Sequence, residues 1–129
     1  MSSNGTDGGL AGRKLVLIVE DHPRVREALS SLLDSDGYRV LKAGNGREAL
    51  ELLDAGAELP CLVLLDLVMP IMDGREFLKA RAQDPTLGRI PVVVLSAGAR
   101  DGQDIEGVAA CLRKPASPDK LLRLLGRLC

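Results

Sequence analysis

Strand-like segments in this 129-residue sequence end on residues that can do chemistry. Leu15 to Val19 runs into Glu20-Asp21, Leu62 to Leu65 into Asp66, Val92 to Leu95 into Ser96, and Cys111 to Arg113 into Lys114. A carboxylate at the end of a buried strand is costly unless it is paired or used. If the four ends meet, three carboxylates, a hydroxyl and an ammonium share one pocket. Three close carboxylates repel one another and call for a cation. An all-oxygen ligand set favours Mg²⁺, which keeps several waters and leaves room for a phosphoryl oxygen. Asp66 is then a candidate nucleophile that takes a phosphoryl group as an acyl phosphate. Mg²⁺ and Lys114 would neutralise the charge on the phosphoryl oxygens in the transition state, and the Ser96 hydroxyl would hydrogen-bond the phosphate afterwards.

The ends meet only if the elements carrying them form one sheet. Leu15–Val19 is a continuous apolar run of the kind buried on both faces of a parallel sheet. Pro23 suits the first turn of a helix, in which Val25, Ala28, Leu29, Leu32 and Leu33 define one apolar face and Asp36-Gly37 ends it. A second strand is expected over Tyr38–Ala43, and a second helix is opened by the cap pair Asn45 and Glu48. The third strand spans Cys61–Leu65, and Asp73 and Glu76 cap the helix after it. Ile90–Leu95 reads as the fourth strand, on its Val92-Val93-Val94 core. Strand five covers Cys111–Arg113, and a last helix starts with Ser117 as cap, Pro118 at its first position and Asp119 on its dipole. Between strands four and five, the Gly-rich segment 97–107 (AGARDGQDIEG) predicts a short or distorted fourth helix.

Five strand-helix repeats imply an α/β fold: a five-stranded parallel sheet with helices on both faces and right-handed crossovers. In the doubly wound, flavodoxin-like order 2-1-3-4-5, strands one, three, four and five are contiguous, and ligands bind outside their carboxyl ends. All four chemical ends lie on that edge.

Composition narrows the field. Seventeen Lys and Arg balance eighteen Asp and Glu, and aromatics make up 2% of the chain, so no nucleic-acid surface or stacking platform is expected. No apolar stretch approaches the length of a membrane span. Residues 1–13 read as a flexible tail and 14–129 as one domain. Cys61, Cys111 and Cys129 are odd in number and form no CxxC pair, so they read as reduced thiols of a cytoplasmic protein, with Cys111 a small core residue. His22 reads as an exposed residue at a helix start.

With these residues placed, the sequence resembles the receiver domain of two-component response regulators, the CheY-like fold. The resemblance rests on VEDHP (Glu20, Asp21), LLDLVMPIMDG (Asp66), VVVLSA (Ser96) and LRKP (Lys114), and covers roughly Lys14 to Leu128. It implies that Asp66 is the phosphoacceptor and that Ser96 and Lys114 sense the phosphate. It also implies that Asp21, Asp66 and the Val68 backbone carbonyl ligate Mg²⁺, with Glu20 acting largely through water. The implied phosphodonor is a sensor histidine kinase or a histidine phosphotransfer protein. The implied output is a downstream protein reached through helix 4, strand 5 and helix 5.

Three features depart from the family pattern. Cys111 stands where a Tyr or Phe usually serves as the switch. The interval from Ser96 to Lys114 is about one helical turn short. Val68 and Gly98 flank the phosphoryl site without polar groups to orient an attacking water, which predicts slow self-dephosphorylation. Two other readings stand beside the switch: a degenerate receiver acting as a protein-interaction scaffold, and a phosphohydrolase with an aspartyl-phosphate intermediate. The second usually needs an Asp two residues after the nucleophile, where this chain has Val68.

Overall fold

The computed structural model describes residues 13–56, 58–97 and 107–129. Five parallel strands form one sheet: β1 (Leu15–Val19), β2 (Arg39–Ala43), β3 (Leu62–Asp66), β4 (Val92–Ser96) and β5 (Ala110–Arg113), in the order β2-β1-β3-β4-β5. Among the described residues, four α-helices connect or follow them: α1 (Pro23–Ser35), α2 (Gly46–Ala55), α3 (Gly74–Ala82) and α4 (Pro118–Leu128), the last being the fifth helix expected from the sequence. A 3₁₀ turn, Leu87–Arg89, leads into β4. The expected 2-1-3-4-5 doubly wound fold is therefore present. The tail over residues 1–12 and the short or distorted helix expected before β5 fall outside the described residues, apart from the latter's flanks.

Alternation along the strands builds two cores. Leu17, Val19, Val63, Leu65, Val92 and Val94 face α2 and α3, where Ala49, Leu53, Phe77 and Leu78 meet them. Val16, Ile18, Leu62, Leu64, Val93 and Leu95 face α1 and α4, against Leu29, Leu33, Leu121 and Leu125. Burial on both faces explains why β1, β3 and β4 read as continuous apolar runs rather than alternating ones.

Local signals set the helix ends. Asp73 and Glu76 form a full capping box, each side chain accepting from the other's backbone N–H. The Asn45 side chain accepts from Glu48 N–H, while the Glu48 carboxylate turns to Gly44 N–H, so this pair is only half of a box. Gly37, at φ +93°, makes the left-handed turn after α1 that the sequence assigned to Asp36-Gly37. Ser117 departs from its expected role. It occupies the cap position of α4, but its side chain makes no capping bond. Pro118 already removes one unpaired donor and Asp119 complements the dipole, so the end is set without it.

Several strand boundaries also shift by one or two residues. Ile90 and Pro91 lie before β4, because Ile90 closes the 3₁₀ turn and its carbonyl accepts from the buried Arg81 guanidinium at 2.7 Å. At the other end, Asp66 and Ser96 are themselves the last residues of β3 and β4.

The cysteine reading needs correction at two places. Cys61 and Cys129, 68 residues apart, form a disulfide, with their Cα atoms 5.3 Å apart. Cys61 precedes the central strand and Cys129 ends α4. The packing of α4 across that strand brings the two together, and no local spacing in the sequence signals it. Cys111 remains a free thiol, but it is exposed rather than in the core. It lies on the edge strand β5, where its neighbours Ala110 and Leu112 take the face packed against α1 and α4.

Candidate functional site

The strand register brings the chemical residues to one edge. Val19 pairs with Leu65 and Asp66 pairs with Leu95, so Glu20, Asp66 and Ser96 stand side by side where β1, β3 and β4 end. Lys114 N–H donates to the Ser96 carbonyl at 2.7 Å, extending the β4–β5 ladder by one step and fixing Lys114 at the same edge. The Lys114–Pro115 peptide is cis.

Glu20, Asp21 and Asp66 each place one carboxylate oxygen within 4.8 Å of the others. Glu20 and Asp66 are buried and Asp21 is exposed, so the cluster opens to solvent on one side. The donor set is hard oxygen throughout, which fits Mg²⁺ or a similar divalent cation and excludes a thiolate-type centre.

Lys114 Nζ stands 2.7 Å from Glu20 Oε1 and 3.3 Å from Asp66 Oδ1. Glu20 is held further by His22 N–H, which donates to Oε2 at 3.1 Å, while Arg26 donates to the Glu20 backbone carbonyl at 2.9 Å. His22 itself is exposed at the cap of α1, as expected.

Burial pushes the Asp66 carboxyl up to about 6, and the Glu20 charge adds to the rise; Lys114 works against both. For Lys114, burial acts to lower its pKa, but its bond to Glu20 and the charges of Glu20 and Asp66 outweigh this and raise it. The ammonium therefore stays charged while Asp66 is poised to change protonation at mildly acidic pH.

The loop after Asp66 is tightly built. A side chain at Gly74 would bring its Cβ to 2.7 Å from the Asp66 carbonyl oxygen and 2.8 Å from Leu67 Cα, so the α3 start can lie against the end of β3 only with glycine there. Gly74 N–H donates to the Leu67 carbonyl at 2.9 Å. Met69 is buried, and Met72 packs against the α2–α3 side of the core. Val68 donates a long 3.4 Å backbone bond to Asp66 Oδ1, and its side chain is 72% exposed. Ile71 is 69% exposed at φ +68°, so two large apolar side chains of this loop stand in solvent.

Ser96 is buried, and the Cys111 thiol approaches its Oγ at 3.9 Å from β5. Gly98 lies outside the described residues. On the other flank, a groove of about 600 Å³ runs between α1 and the start of α4, with Val25, Leu29, Pro115 and Pro118 on its walls and Arg24 and Lys114 among its lining residues.

Each sequence-assigned side chain thus reaches the same edge. Sequence reasoning missed the pairing of Lys114 with Glu20 and the anchoring of Glu20 by Arg26. The first had a signal, since a buried carboxylate next to a second one needs a cation. The second had none, because the acceptor is a backbone carbonyl six residues away. The left-handed Ile71 was also missed, for isoleucine is among the residues least expected in that conformation.

Comparison with known proteins places this geometry. Residues 16–125 match the family model of the response regulator receiver domain. The chain is 36% identical over 118 residues to the response regulator Rre1 of Synechocystis sp., a match covering 88% of this chain and 50% of that protein. The chain therefore corresponds to about half the length of that regulator. Among solved structures, it superposes with a TM-score of 0.80 and 31% identity on the signal receiver domain of a histidine kinase from Syntrophus aciditrophicus, covering 89% of each chain. A TM-score of 0.80 at 28% identity relates it to the response regulator TrrA of Thermotoga maritima, solved in complex with Mg²⁺-BeF, with 90% of this chain and 99% of that one covered.

Proposed function

Since the chain belongs to the response regulator receiver domain family of two-component signalling, we propose that it is a phosphorylation-dependent switch with Asp66 as phosphoacceptor. The single observation that carries this reading is the placement of Lys114 Nζ 3.3 Å from Asp66 Oδ1 beside a three-carboxylate cluster. A nucleophilic carboxylate, a fixed ammonium and a hard-cation site are what phosphoryl transfer to oxygen requires.

The donor is a phosphohistidine on a sensor histidine kinase or a histidine phosphotransfer protein. An Asp66 carboxylate oxygen attacks phosphorus, the new O–P bond forms as the P–N bond breaks, and the electron pair leaves with the imidazole. Glu20, Asp21, Asp66 and the Val68 carbonyl would hold Mg²⁺, with Glu20 acting largely through water. When bound, the cation would screen the carboxylates and the phosphoryl oxygens. Lys114 carries a second positive charge to the same oxygens, and the hydroxyl of Ser96, buried at the end of β4, would bond the phosphate afterwards. The exposed Val68 and Ile71 and the groove beside Lys114 give the partner apolar surface around a polar target. The response to phosphate would pass to a downstream protein through β5, α4 and the segment before them.

Val68 also argues for a switch rather than a phosphohydrolase. Its solvent-facing side chain has no group to orient water or move a proton, so the aspartyl phosphate should be long-lived. Replacing Val68 with Asn or Glu should then speed its loss, and an unchanged decay rate would remove this part of the reading. The scaffold reading draws on one observation: the position of the usual aromatic switch holds Cys111, whose thiol contacts Ser96.

Incubation with Mg²⁺ and acetyl phosphate separates these readings. The switch predicts a mass gain of one phosphoryl group in the wild type and none in Asp66→Asn. No gain in either protein would leave the scaffold.

A further inference from the structure

Cys61 and Cys129 lie at the edge of the sheet opposite to Asp66. Cys61 is joined to the start of β3, whose other end is Asp66, and its N–H donates to the Leu15 carbonyl at 2.8 Å. Cys129 follows α4, and Lys14 donates to its carbonyl oxygen. Both side chains are half-buried and pack on the α1–α4 core. Their Cα separation of 5.3 Å is inside the range of about 4.4–6.8 Å that a disulfide spans without moving the backbone.

The bond closes a ring from Cys61 to Cys129. That ring contains β3, α3, β4, β5 and α4, and with them Asp66, Ser96 and Lys114. Glu20, Asp21 and α1 lie outside it. The same helix is thus tied at one end to the Lys114 loop and at the other to the base of the phosphoacceptor strand. Nothing about the phosphoryl chemistry requires this second tie.

We infer that Cys61 and Cys129 form a redox modification site, a dithiol that a low-molecular-weight disulfide converts to a bond pinning the end of α4 to the base of β3. One thiolate attacks a sulfur of the disulfide RSSR and releases RS⁻. The second thiolate attacks the mixed disulfide and releases another RS⁻. The two protein sulfurs lose two electrons in total, RSSR gains them, and the two thiol protons leave on two RSH molecules. The pair is accessible enough for exchange, since neither residue is fully buried. Cys111 is the internal control: it is exposed, free, and placed on the edge strand beside Ser96.

The reduced and oxidised states should differ in stability and in the mobility of α4. Closing a long loop constrains the unfolded chain, so oxidation should raise the Tm by on the order of 10 °C in a domain of this size. Amide exchange should slow in the last turns of α4.

The test takes the full chain, reduces it, and equilibrates it with oxidised glutathione. Alkylation and mass measurement should count three free thiols before and one after, with the survivor mapped to Cys111. Tm should rise on oxidation in the wild type and in Cys111→Ser, and should not respond in Cys61→Ser or Cys129→Ser. Should either of those variants fold poorly, alkylated wild type supplies the unbridged reference. Three free thiols under excess oxidised glutathione, or a bond that includes Cys111, would overturn the site. A Cys61–Cys129 bond that leaves both the Tm and α4 exchange unchanged would overturn its pinning role. None of these readouts depends on phosphorylation.

Discussion

Lys114 Nζ lies 3.3 Å from Asp66 Oδ1 although β5 and β3 are not neighbours in the sheet. The lysine side chain crosses the end of β4 to reach the carboxylate. β4 itself ends at Ser96, level with Asp66 on β3. The same ammonium is closer to Glu20, at 2.7 Å, so it is shared between two buried carboxylates. This single cation cannot satisfy both, and Asp66 bears the deficit: burial and the Glu20 charge push its carboxyl up to about 6.

A pH-dependent cost follows for the metal-free protein. Asp66 binds its proton more tightly folded than unfolded, so its contribution to stability is fully present below its unfolded pKa near 3.8 and is lost as pH rises through about 6. Above that window the ionised carboxylate weakens the fold. Asp66→Asn should therefore raise the Tm by several degrees at pH 8 and by much less at pH 4.5. Mg²⁺ should narrow the difference at pH 8 by stabilising the wild type. Thermal melts across pH check this, and a variant less stable than wild type at pH 8 would count against it.

Lys114→Ala should act in the opposite direction. It leaves Glu20, 1% exposed, without its cation. Removing one partner of a buried pair costs roughly 3 kcal/mol or more. Urea denaturation at pH 7.5 should show that loss, and millimolar Mg²⁺ should recover part of it. A neutral effect would mean that the Lys114–Glu20 pair adds nothing to the fold.

Ile71 stores backbone strain at an exposed position. At φ +68° a β-branched residue is about 1–2 kcal/mol worse off than in a right-handed conformation. Its side chain is 69% exposed, so little burial offsets that cost. Ile71→Gly should stabilise the protein by about 1 kcal/mol in equilibrium unfolding. Destabilisation would show that the side chain is held by contacts worth more than the strain.

Much of the site was legible in the sequence because parallel strands buried on both faces announce themselves as unbroken apolar runs. Once β1, β3 and β4 were located, Glu20, Asp66 and Ser96 had to fall on one edge, since a parallel sheet puts every carboxyl end on the same side. Lys114 was legible for a different reason: it belongs to a four-part motif set whose order is specific even where β5 is short. What stayed hidden depends on contacts between distant segments. The Cys61–Cys129 bond arises only when α4 docks across the base of β3, and the sequence separation of 68 gives no local pattern to read. The exposure of Cys111 depends on which face of an edge strand it takes, which four residues of strand cannot settle by pattern alone. Ser117 carried a cap signal, but Pro118 and Asp119 supply what the end of α4 needs without its side chain.

The central claim is that the Asp66 carboxylate itself accepts the phosphoryl group, and reductive trapping tests it most directly. After incubation with Mg²⁺ and acetyl phosphate, borohydride reduces an aspartyl phosphate to homoserine, and peptide mass mapping locates the change. Homoserine should appear at position 66, dependent on Mg²⁺ and strongly reduced in Lys114→Ala. Trapping at another carboxylate, or none at position 66 under conditions where the protein is folded and Mg²⁺ is saturating, would contradict it.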